Sequence, residues 1–284
     1  MRENAILIPK ILVVMGLSAL VLISAVVEGY TDYLHGYVIV FLGFVLAGSI
    51  ITARVISVAH LLGLILFGFI IGFITQTIGV TSDMWCYDHT FIFATLSWSL
   101  AAVTMEGISR ILKWKLGRVM DNPLNVLAVL TIFALLLITL ALQDHWKYAK
   151  HRPIPREWAG ELESRGSEVR ADQAQCFIYE TMPEEGSGEF QSRYEPNVPF
   201  WIYYISLVSF AIVLHYHTSF TELLSLILAA WIMGGIGEWI GATAKLWHFR
   251  TETLPPLFLV LVCWPLEFLV IRALAIRNGH PGKD

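Results

Sequence analysis

Eight stretches of the chain are apolar almost without interruption: 11–27, 37–56, 60–79, 91–111, 124–142, 199–216, 222–243 and 256–276. Each is about 20 residues long, which is what a helix needs to cross a bilayer. The pattern predicts an all-α fold, a polytopic bundle of about eight transmembrane helices. One interval breaks it. Residues 143–198 are polar and charged, with Pro153, Pro155, Pro183, Pro196 and the run Gly186-Ser-Gly188. A loop of that length is expected to be a functional lid, a disordered segment or a docking place for a partner protein. The first span, with Arg2 and Lys10 ahead of a run through Ser24-Ala25, resembles a signal peptide. Its partnership with the fifth span, argued next, favours a retained anchor.

A shift of 162 residues lays Gly79-Val-Thr-Ser-Asp-Met-Trp-Cys-Tyr87 over Gly241-Ala-Thr-Ala-Lys-Leu-Trp-His-Phe249. Extended backwards, residues 60–87 and 222–249 agree at 12 of 28 positions. Internal repeats reset the reading of a whole chain. Here they predict two four-helix units, 1–122 and 123–284, with the loop 143–198 inserted between the first and second helices of the second. Four spans return the chain to the side it left, so the repeats are parallel and related by an axis along the membrane normal.

Composition agrees with a membrane protein: 56% of residues are hydrophobic and 15% charged. The net charge of −4 comes with no basic block, so no nucleic-acid partner is expected. Basic residues bias the cytoplasmic side. With both termini inside, Arg2, Lys10, Arg54, Arg110, Lys113, Lys115, Arg118, Arg277 and Lys283 share that side, as expected in a cell's inner (plasma) membrane; Lys245 and Arg250 are exceptions. Cys86 and Cys176 then share the outer side, and a disulfide between them is open in an oxidising compartment. Cys263 lies inside a span and reads as packing. His215-Tyr-His217 sets its histidines on different faces of a helix. No metal or nucleotide motif is present, so no metal ion and no cofactor is expected.

The residues with chemistry to offer are carboxyls inside apolar spans. Glu267 falls about 16 Å into the last span if that helix begins at Pro256. Burying such a group is costly, and it usually faces the protein interior and serves function. Pro265 bends the helix beside it; a pairing of Glu267 with Arg272 is the structural alternative. Glu106 follows Trp85 by 21 residues and Glu267 follows Trp247 by 20, so the two carboxyls are expected to face one hollow across the axis. Glu238, aligned with Gln76, would be a third. A carboxyl in apolar surroundings holds its proton more readily and can serve as an acid near neutrality. Trp85, Tyr87, Trp247, Phe249 and Trp264 would bind substrate, unless the tryptophans are ordinary interface anchors. Glu222, in Ser219-Phe-Thr-Glu222, reads as half of a capping box.

The stretches GEWIGATAKLWHF (237–249) with WPLEF (264–268), and GVTSDMWCYDH (79–89) with TMEG (104–107), resemble integral-membrane carotenoid-modifying enzymes of the duplicated-domain lycopene cyclase and carotenoid hydratase type. That resemblance implies cyclisation, hydration or isomerisation of an isoprenoid, with Glu267 matching the first acid of the family's P-L-E-E motif and Glu238 the helix-end acid. Phe268 stands where the family has its second glutamate, and no proline precedes Glu106. Two other functions fit the pattern, a proton-coupled transporter and a non-catalytic membrane subunit that docks a partner through 143–198.

Overall fold

The computed structural model describes residues 2–33, 36–81, 85–87, 90–120, 152–155, 159–164, 168–170, 177–181, 198–244, 246–249 and 259–279. Among the described residues, six helices are long and apolar enough to cross a membrane: Ile6–Val27, Val38–Val55, Val58–Thr81, Ile92–Gly117, Phe220–Gly241 and Leu259–Arg277. The first four expected spans and the last two are among them. The sixth expected span is a helix whose apolar part, Ile202–His215, is shorter. The fifth, 124–142, lies outside the described residues.

In chain order the helices are α1 (Arg2–Val27), α2 (Gly36–Val55), α3 (Val58–Thr81) and α4 (Ile92–Met120), then α5 (Ala159–Ser164), α6 (Val198–His215), α7 (Phe220–Thr243) and α8 (Trp264–Gly279). A π-helical segment, Leu259–Cys263, runs into α8. Two short strands, β1 (Trp85–Cys86) and β5 (His248–Phe249), pair antiparallel between the helices. In the long loop, β2 (Arg152–Pro155), β3 (Glu168–Arg170) and β4 (Phe177–Thr181) form an antiparallel sheet in the order β2-β4-β3. The described parts of that loop are thus folded.

The bundle is apolar outside and carries hydroxyls within an apolar core. Leu12, Leu20, Val40, Phe44, Leu66, Ile205 and Val213 are exposed, whereas Ser49, Thr52, Thr75, Thr95, Ser99 and Thr104 are buried. That arrangement suits a lipid surround, which offers helices no hydrophobic drive to associate and leaves packing and hydrogen bonds to do it. Helices α3, α4, α7 and α8 make the centre, and α1, α2 and α6 flank it. Glycines let the central helices touch. A methyl at Gly63 would meet Ala275 of α8, and one at Gly68 would meet the α4 backbone at Ser99. On α2, Ser49 bonds Thr104 and the Leu100 carbonyl of α4.

Helix ends are satisfied from neighbouring elements. Ser57 accepts from the His60 N–H and Ser219 from the Glu222 N–H, capping α3 and α7 alike. Glu28, at the end of α1, accepts from the Phe93 N–H and so places a carboxylate on the N-terminus of α4. Lys10 donates to the Ile56 carbonyl just beyond α2. Pro265 has no N–H to give the Leu261 carbonyl one turn back, and Trp231 Nε1 donates to that oxygen instead at 3.1 Å.

Candidate functional site

Each of two glycines makes room for a tryptophan. The Trp85 ring lies across Gly79 and the Trp247 ring across Gly241, so that a methyl at either glycine would run into an indole. Chain direction then reverses, and strands β1 and β5 meet with Trp85 opposite Phe249 and Cys86 opposite His248. The two indole N–H groups find acceptors nine residues back: Trp85 donates to Gln76 at 3.0 Å, and Trp247 to Glu238 at 3.0 Å. The Gln76 oxygen takes a second bond, from the Tyr87 hydroxyl. Glu238 differs, since its other oxygen accepts Trp264 Nε1 at 2.8 Å. Burial pushes the Tyr87 phenol well above its ordinary value, and the charge of Glu238 adds to the shift, so the hydroxyl keeps its proton as a donor.

Below this lid Trp98 of α4 stacks on Trp264 of α8, ring centres 4.1 Å apart. Gly72 receives Trp98 and Gly234 receives Trp264. Between the stack, the strand pair and α2 lies a cavity of about 100 Å³, walled by Phe41, Trp85, Tyr87, Phe93, Trp98, Trp247 and Trp264 among others. Glu267 and Glu238 also line it. Glu267 Oε1 accepts two hydroxyls, from Tyr204 of α6 at 2.8 Å and from Thr75 of α3 at 2.9 Å. Thr75 is in turn 2.8 Å from the Tyr203 hydroxyl. The single Thr75 proton points at Glu267, so Tyr203 must donate to Thr75. The chain therefore runs Tyr203 to Thr75 to Glu267, with every hydrogen aimed at the carboxyl.

The expected site residues separate into two groups. Glu267, Glu238, Trp85, Tyr87, Trp247 and Trp264 come together at the cavity. Glu106 does not join them. It accepts from Arg110 at 2.7 Å and from Arg272 at 2.9 Å, and Arg272 also reaches Glu222 at 2.6 Å. Arg272, offered above as a partner for Glu267, thus serves two other carboxylates. Glu222 makes one arm of the expected capping box, but its side chain goes to Arg272 and Lys113. Phe249 pairs through its backbone, while its side chain, that of Cys86 and all of Cys176 lie outside the described residues, and the disulfide with them. Among the described residues no three His, Cys, Asp or Glu side chains gather as a metal would need. Thr75, Tyr204 and Trp98 were not anticipated. The adjacent Tyr203-Tyr204 on an apolar helix was the one visible hint.

No family model, no curated protein and no solved structure matches the chain.

Proposed function

We propose that this chain is an intramembrane acid–base enzyme that protonates a carbon–carbon double bond at the end of a lipidic, isoprenoid substrate, with Glu267 as the acid. One observation carries the reading: a buried carboxyl, already holding two hydroxyl hydrogen bonds on one oxygen, opens onto a hollow walled by tryptophan. A carboxyl oxygen has two acceptor positions, and Thr75 and Tyr204 fill both on Oε1. The transferable proton therefore belongs on Oε2. Its move to an alkene carbon makes one C–H bond and leaves a carbocation, with the carboxylate as conjugate base. Indole faces attract cations. Direct loss of a neighbouring proton to the carboxylate gives isomerisation. Attack of a second double bond of the same chain on the cation, forming a C–C bond before that loss, gives cyclisation. Addition of water, whose extra proton returns to the carboxylate, gives hydration. No redox change is involved. An apolar cavity of roughly 150 Å³ takes benzene, so about 100 Å³ suits an end group and not a whole polyene.

We also infer that the protein is built of two related halves, 1–122 and 123–284, of four spans each. Helices separated by 162 residues begin at matching places, α2 and α6 at Gly36 and Val198, α3 and α7 at Val58 and Phe220. Through their glycines, Trp98 and Trp264 become counterparts, a shift of 166 in the return helices. Cys86 opposite His248, Trp98 on Trp264, and Glu106 bonded to Arg272 each join a residue to its own counterpart. Self-pairing is what a two-fold axis produces.

The test is expression in a host that accumulates acyclic isoprenoids, with analysis of the extracted lipids. Wild type should convert part of the pool, and Glu267→Gln should lose at least about a hundredfold of that conversion. An unchanged lipid profile with wild type sinks the enzymatic reading. The relay from Tyr203 gives a second reading, a proton-coupled carrier, some support. Uptake into proteoliposomes driven by a pH gradient without chemical change would favour it.

A further inference from the structure

The counterparts of the acid corner are apolar and line the same cavity. In the register set by the glycine and tryptophan contacts, Thr75 matches Gly237, Tyr204 matches Leu42, and Glu267 matches Ala101. All six positions border the hollow. One corner therefore offers a carboxyl and two hydroxyls. The other offers a leucine, a methyl and a bare backbone, with Phe41 3.7 Å from where a Gly237 side chain would start. Alanine in place of glutamate and glycine in place of threonine also leave smaller side chains at this corner, and nothing comes closer than 3.7 Å to where a Gly237 side chain would start.

We propose that Leu42, Ala101 and Gly237 form the seat for the unreactive, methyl-bearing side of the substrate's end group. Seated there, the end group presents its double bond across the cavity to Glu267, and the seat decides which carbon takes the proton. The inference rests on the reading of Glu267 as the acid, but it is tested without turnover. A group held in a tight apolar pocket is sensitive to single methylenes, each changing binding by about 10–200-fold. Gly237 is the position to fill, because a methyl there meets Phe41 and Trp264 only at ordinary contact distance and the fold has no reason to shift.

The experiment measures retention of radiolabelled squalene, a chain with branched prenyl ends, by the full-length protein in lipid nanodiscs. Straight-chain hexadecane is the control for partition into lipid. Gly237→Ala should lower squalene retention about tenfold or more, and Ala101→Leu further, with hexadecane unchanged. Glu267→Gln, which keeps an acceptor for Thr75 and Tyr204, should retain squalene within about twofold while losing conversion in the host assay. Retention by Gly237→Ala equal to wild type would overturn the seat, and so would absence of retention by wild type itself. Failure of the acid would show differently, as retention that depends on Gly237 with no conversion by wild type.

Discussion

Glu238 and Glu267 line one cavity, yet their hydrogen bonds assign them different work. Glu267 uses a single oxygen for both partners, so an amide can replace it without orphaning either. Glu238 gives one oxygen to Trp247 and the other to Trp264. A glutamine held in that place keeps its oxygen for one indole and sets its NH2 against the other, and a buried donor left without a partner costs about 1–3 kcal/mol. Thermal unfolding in nanodiscs should show Glu238→Gln destabilised by that amount and Glu267→Gln nearly unchanged, while conversion shows the reverse order. Equal effects of the two on stability would dissolve the distinction. Tyr87 supplies a pH signature at the same end of the bundle. Its folded-state phenol titrates above the ordinary value of 10.0, so the stabilisation it contributes is complete at neutral pH and fades as pH rises past that value. Tyr87→Phe should flatten the alkaline arm of the stability profile and leave the neutral region with a constant offset.

Among the elements, the repeated spacing of glycine and tryptophan was legible in the sequence, whereas the contact it encodes was not. Gly79 and Gly241 each lie under an indole six residues on. Ala at either position forces the ring to move, and overpacking of this kind costs about 1–3 kcal/mol. Gly235→Ala, with only Val260 3.7 Å away, should cost no more than a few tenths and is the control for helical glycines in general. If Gly79→Ala matched that control, the indole would not be held as described. The register of the return helices was not legible. Counting from Trp85 and Trp247 pairs Glu106 with Glu267, but packing pairs Trp98 with Trp264 through Gly72 and Gly234, and so brings Glu106 to Arg272. Connection lengths after the two aromatic motifs differ, and only side-chain fit says how many residues to discount. Thr75 and Tyr204 were hidden for another reason. Hydroxyls in apolar helices commonly bond the carbonyl four residues back, as Thr77 and Ser206 do here, and nothing in a sequence marks those that turn inward.

At the scale of the whole molecule, the two ends of the bundle are held in different ways. The tryptophan end closes by a strand pair and aromatic contact, whereas the opposite end closes by charge. Arg272 of α8 is 12% exposed and bridges Glu106 of α4 to Glu222 of α7. Arg110 and Lys113, which also serve those carboxylates, are 44% and 50% exposed. Exposed pairs of that sort contribute about 0–1 kcal/mol, while removing one member of a buried pair costs up to about 3–5 kcal/mol, a loss that Arg110 and Lys113 reduce here by staying on the two carboxylates. Arg272→Met, which loses two partners from the interior, should therefore lower stability more than Lys113→Met, which loses one at the surface. In the companion double variant, Glu106→Gln with Arg272→Met, the paired loss should fall short of the sum of the single losses, the mark of direct coupling. Cavity binding should be spared in both, since neither residue borders the hollow. If losing Arg272 empties the cavity of squalene as well, the two ends are mechanically linked through the central helices.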